Sequence, residues 1–254
     1  LGQYSVAIGR DALTAQNLTT ATSTYNTAVG YLAGNAVTTG TENTLIGALA
    51  GDALTDADKN VAIGYFSLTT DTLGSKSVAI GNGALGAQNF TTATDTFNTA
   101  VGQEAGRFVT TGVNNTLIGG LAGDAITTGF SNSLVGKFSG SALTDADYNV
   151  AMGQQSLAQD TQGSTAVAIG SFALGTQNFT TATNNYNVGV GYAAGGAITT
   201  GTFNTIIGGL AGDALTDADS NVAVGYSLSV DTLGSKSTAV GSHTLINQNF
   251  TTAT

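Results

Sequence analysis

Three stretches of this chain carry paired carboxylates at a spacing that could hold a cation. Leu-Thr-Asp-Ala-Asp occurs at 54–58, 143–147 and 215–219, and Asn60, Asn149 and Asn221 follow two residues later. Asp-x-Asp-x-Asn is how a calcium loop of the EF-hand kind begins, and such a loop then needs Gly next and a bidentate Glu seven positions after the Asn. The next residues are Val61, Val150 and Val222, and the later positions hold Ser67, Ser156 and Leu228. The ligand set is therefore incomplete. The stretches read as charged corners that keep a stacked β structure soluble. No metal and no cofactor is expected.

Other chemical patterns fare no better. Gly81-Asn82-Gly83-Ala84-Leu85-Gly86 matches a dinucleotide fingerprint, but sibling stretches lack it and nothing predicts the helix that must follow. His243 is the single histidine. A catalytic triad needs a base beside a nucleophile, and a zinc site needs several ligands. There is no Cys for a disulfide or thiolate site. The chain is not expected to be an enzyme. The best recognition candidates lie in Gln-Asn-[Leu/Phe]-Thr-Thr-Ala-Thr segments, at 16–22, 88–94, 177–183 and 248–254. They combine hydroxyls and amides with aromatics, a set suited to weak sugar binding. The candidate ligand-binding residues are Phe90, Thr92, Thr94, Phe97, Phe179, Thr181, Thr183 and Tyr186.

The elements that position these residues follow from a repeat. A phrase of small polar residue, then Thr, Val or Ser, then usually Ala or Leu, then Ile, Val or Met, then Gly recurs fourteen times, as in Asn26-Thr27-Ala28-Val29-Gly30. Successive closing glycines stand 17 residues apart, with intervals of 21 where a long segment intervenes and a last interval of 16. A 17-residue unit is too short for two helices and a turn but holds short strands and corners. The phrase is rich in β-formers, and Thr-Thr-Gly at 38–40, 110–112, 127–129 and 199–201 reads as a corner. This predicts an all-β fold: a parallel β-solenoid or β-roll with one coil per 17-residue, occasionally 21-residue, repeat. Coils stacked at about 4.8 Å would extend roughly 60 Å over fourteen turns. The expected organisation is one continuous array over 1–254, with super-repeats of about 10–81, 82–170 and 171–241. It starts and stops in mid-unit, as a fragment of a longer fibre would.

Side chains alternate along a strand. The fourth phrase position is always apolar, which suggests that it fills the coil. The third position, from Ala7 to Ala239, is almost always apolar too and would then point outward. A strand apolar on both faces is buried on both, so the third position is expected to pack against another copy of the chain. Ten of the fourteen phrases open with Asn, and the exceptions Ser5, Ser77, Ala166 and Ser237 each precede a long segment. An amide ladder that breaks where the long segment leaves the stack is the expectation.

Asn-Thr-Ala-Val-Gly-Tyr-x-Ala and Ser-Val-Ala-Ile-Gly resemble the head repeats of YadA-type trimeric autotransporter adhesins, and still more the repeats of many bacteriophage tail-fibre proteins. The resemblance implies a left-handed parallel β-roll assembled as a homotrimer on a virion or cell surface. It implies an extracellular structural fibre segment, in a phage tail fibre, that spaces and presents receptor-binding regions. The alternatives are the head or stalk of a bacterial trimeric adhesin and, from the Thr rows, an ice-binding β-solenoid. The implied partners are the chain itself and a host-surface glycan or receptor. Among 254 residues the net charge is −10 and there are only 6 Lys and Arg, so nucleic acid is not an expected partner. No apolar run reaches membrane-spanning length, so no membrane insertion is expected in this segment.

Overall fold

Branched and hydroxyl residues at alternate positions favour extended backbone, and each phrase forms one three-residue strand. The computed structural model describes residues 2–250 and 252. The chain divides into two units, Leu1–Gly129 and Phe130–Thr254. In the first unit the strands are Val6–Ile8, Thr27–Val29, Thr44–Ile46, Val61–Ile63, Val78–Ile80, Thr99–Val101 and Thr116–Ile118. In the second they are Ser133–Val135, Val150–Met152, Val167–Ile169, Val188–Val190, Thr205–Ile207, Val222–Val224 and Thr238–Val240. Within each unit every strand pairs in parallel with the next, phrase position on phrase position: Ala28 faces Leu45, which faces Ala62. In the second unit Ala151 faces Ala168 in the same way. Each unit is a parallel β-solenoid, and the described residues include no helix. None is long and apolar enough to cross a membrane.

The closing glycine is a steric requirement of stacking. Gly47 has φ +134°, and a Cβ there would lie 2.6 Å from the carbonyl oxygen of Gly64 in the next coil. No side chain fits at that distance or favours that backbone.

The two strand faces are the reverse of the expectation. The third position is inside: Ala28, Leu45, Ala62, Ala79, Ala100, Leu117, Leu134, Ala151 and Ala168 are fully buried. The fourth is outside and partly exposed, as at Ile46 (37%) and Met152 (45%). The second position lies on that outer face too. Parity explains the correction. The first and third positions share a face, and the Asn at the first is fully buried. A buried Asn row forces the third position inward.

The core is fitted by volume. Leu45 sits beside Gly51, where a Cβ would meet its Cδ2 at 2.8 Å; in the next coil small Ala62 is matched by buried Leu68. The same exchange gives Leu134 with Gly140 and Ala151 with Leu157. Large and small residues trade places across each coil, which keeps the interior close-packed.

Candidate functional site

The Asn row is a hydrogen-bonded column. The Asn43 backbone N–H donates to Asn26 Oδ1 at 2.9 Å and the Asn60 N–H to Asn43 Oδ1 at 2.9 Å. Each side-chain amide also donates to a carbonyl fourteen residues on, Asn26 to Gly40 at 2.7 Å and Asn43 to Ala57 at 2.7 Å. Hydrogen bonds to these buried amides offset the cost of taking them out of water and stiffen the stack.

At the long segment that follows Ser77 the column does not break. Ser77, in place of Asn, still donates its N–H to Asn60 Oδ1 at 2.8 Å. Gln88, from the long segment, then bridges: its Nε2 donates to Ser77 Oγ at 2.8 Å, and its Oε1 accepts from Asn98 Nδ2 at 2.9 Å. In the second unit the Ala166 N–H still donates to Asn149 Oδ1 at 2.9 Å, but Ala166 has no polar side chain to carry the column on, and Gln177 Oε1, which accepts from Asn187 Nδ2 at 2.8 Å, starts it again.

Gln88 has a second partner, the fully buried carboxylate of Asp71, at 2.5 Å. The other carboxylate oxygen accepts from the backbone N–H of Gly74 and of Phe90, both at 3.0 Å. Asp160 repeats this with Gln177 at 2.6 Å, Gly163 at 3.0 Å and Phe179 at 2.9 Å. Asp231 does so with Gln248 at 2.6 Å and with Gly234 and Phe250 at 3.0 Å. Burial raises the Asp160 carboxyl above its ordinary value, and the bonds from Gln177, Phe179, Gly163 and Thr161 pull it back down. The acid thus clamps the start of the long segment. Sequence reasoning missed it. The signal was Asp-Thr-x-Gly-Ser at 71, 160 and 231, each with Gln 17 residues later.

This clamp decides where the candidate residues go. Phe90 and Phe179 are only 7% exposed and cover the interior of their coils. The Leu73 N–H donates to the Phe90 carbonyl at 3.1 Å, and Thr96 rejoins Ser75 at 2.9 Å. The excursion is confined to 91–93, all exposed, instead of a loop leaving the stack. Thr92 and Thr181 are exposed; Thr94 and Thr183 are half-buried and donate their hydroxyls to the Thr92 and Thr181 carbonyls at 3.0 and 2.9 Å. Phe97 and Tyr186 point outward, 55% and 50% exposed. The Lys76 ammonium lies 5.1 Å from the Phe97 ring centroid and pairs with Asp95. Tyr186 stacks on Phe203 with centroids 5.2 Å apart. The eight residues therefore form no single cluster: two aromatics are inside and two outside.

The acidic corners have structural duties. Asp58 Oδ1 accepts from the Thr41 N–H at 2.7 Å and its hydroxyl at 2.9 Å, and the Asp58 N–H donates to Ser75 Oγ at 2.9 Å. Asp219 and Thr202 repeat the pair at 2.6 and 3.0 Å. Among the described residues no group of three or more acidic or histidine side chains could hold a metal. His243 is exposed beside Tyr226, with Ser242 Oγ 2.7 Å from its Nδ1. No helix follows the glycines at 81–86.

No protein-family model, no curated protein and no solved structure matches this chain.

Proposed function

We propose that this chain is a non-enzymatic structural segment of a homotrimeric extracellular fibre, a phage tail fibre, that spaces and presents receptor-binding regions. The observation that carries the reading is the outer strand face. In the first unit Val29, Ile46, Ile63, Ile80, Val101 and Ile118 stand in register, one per coil, partly exposed and unbroken by any charge. In the second, Met152, Ile169 and Ile207 continue the pattern at 37–45% exposure. An apolar stripe of that regularity is a surface for another protein. Further copies of the same chain are its natural occupant, because an identical register matches coil for coil. The number three and the phage setting rest on the repeat resemblance. The outer aromatics Phe97 and Tyr186 would add weak multivalent contacts to host glycans.

The corner threonines speak against ice ordering. Thr38, Thr55, Thr110 and Thr199 each donate their hydroxyl to the carbonyl of the equivalent corner one coil on, at 3.1–3.2 Å. The donor proton of each of those hydroxyls is already committed. Native mass spectrometry tests the fibre reading: a mass of three chains is expected, and a monomer at all concentrations ends it.

A further inference from the structure

A groove of about 630 Å³ runs along the second unit between two rows of turn residues. Phe138, Gln155, Phe172 and Ala193 form one row, in successive coils; Ser141, Gly175, Gly196 and Asp213 belong to the other. A second groove of about 300 Å³ lies in the first unit. Nine of its lining residues have their counterparts 89 residues later in the larger one. The two are versions of one feature, and they differ in what fills them. In the first unit Glu104, Arg107 and Phe108 occupy the space, with Arg107 paired to Glu104 at 3.1 Å and lying 5.0 Å from the Phe108 ring centroid. The counterparts are Ala193, Gly196 and Ala197. Three large side chains are trimmed away, and the groove is open.

What lines the open groove selects its occupant. Phe172 is 39% exposed and held edge-on by Tyr192 at 6.0 Å. The side-chain amides of Gln155 and Gln159 make no hydrogen bond among the described residues. Asp213 Oδ1 is buried without a partner. Asp124, its counterpart, shares that defect but feels the charge of Arg107, whereas Gly196 leaves no cation at that place in the groove. An aromatic ring, free amides and a carboxylate short of a donor match the apolar face and hydroxyls of a sugar. Asp213 is the one charged side chain in the lining, which disfavours an anionic ligand along the wall, although Lys137 lies 4.9 Å from the Phe138 ring centroid.

We propose that this groove binds a neutral oligosaccharide, with a pyranose ring against Phe172 and its hydroxyls met by Gln155, Gln159 and Asp213. Asp213 lines the groove and would offer its carboxylate to the sugar's hydroxyls. The site is separate from the long segments and needs one chain alone, so it stands or falls apart from the fibre reading.

The test is calorimetry and saturation-transfer NMR of the full chain with cellopentaose, maltopentaose, chitopentaose and sialyllactose. One neutral oligosaccharide is expected to bind saturably at one site per chain. The graft Ala193→Glu, Gly196→Arg, Ala197→Phe brings in the side chains that the first unit holds, there with Gly83 at the place of Phe172. It should keep the fold by circular dichroism and weaken binding at least about tenfold. Phe172→Ala provides a second variant with the same expected loss. Absence of saturable binding, binding of sialyllactose alone, or binding that survives both variants would overturn the proposal.

Discussion

Gln88 donates from Nε2 to the buried Asp71 carboxylate at 2.5 Å, across one turn of the solenoid. The contact joins two tasks. It neutralises the cost of a buried acid, and it lets Gln88 bridge the Asn column where Ser77 replaces Asn. Replacing Gln88 by Leu strands the carboxylate. A loss of roughly 1–3 kcal/mol follows from removing one partner of a buried polar group. Urea denaturation should show it, and hydrogen exchange should localise the opening to 88–96. Unchanged exchange there would show that the clamp does not hold the segment.

The inner and outer strand faces make opposite predictions for adjacent residues. Leu45→Ala empties a filled core and should cost about 2–5 kcal/mol. Ile46→Asp, one residue on, should leave the solenoid spectrum intact and weaken self-association. Equal destabilisation by both would mean that the face assignment is wrong.

Much of this was legible in the sequence. The period, the glycine in register and the Asn row follow from residue types alone. The strand face did not, because alternation gives parity without sign when both faces are apolar. Asn26 and Ala28 share a face, and the buried Asn is what settles it. The acid clamp was hidden for another reason: Asp71 stands in a polar stretch like the exposed Asp56, and only the chain fold puts one inside and the other outside. Phe90 and Phe179 look like recognition residues in the sequence because aromatics in a Thr-rich segment look displayed. Their backbone amides are pinned to Asp71 and Asp160, which turns the rings inward.

Stacking glycines admit no side chain. Gly47→Ala would place a methyl 2.6 Å from the Gly64 carbonyl at φ +134°. Strained backbone alone costs on the order of 1–3 kcal/mol, and the clash adds to it. Thermal melting should show a clear loss; wild-type stability would refute the tight glycine stack.

Burial raises the carboxyls of Asp124, Asp147, Asp160 and Asp213 above their ordinary value of 3.8. A raised folded-state pKa means the folded chain holds protons that the unfolded chain releases. The contribution of these four is complete below 3.8 and is lost as pH rises through their folded values. Melting temperature should therefore rise as pH falls from 7 toward 4, and Asp160→Asn should flatten the profile. A steady fall over that interval would contradict it.

The claim that the outer strand face joins one chain to another is open to a direct chemical measurement. The chain has no cysteine, so a single introduced thiol reports alone. Ile63→Cys places it on the outer stripe, and Lys59→Cys places it on an exposed turn of the same coil. Under mild oxidation at low protein concentration, covalently joined chains are predicted for Ile63→Cys and single chains for Lys59→Cys. Single chains for Ile63→Cys, or equal joining at both positions, would contradict the account.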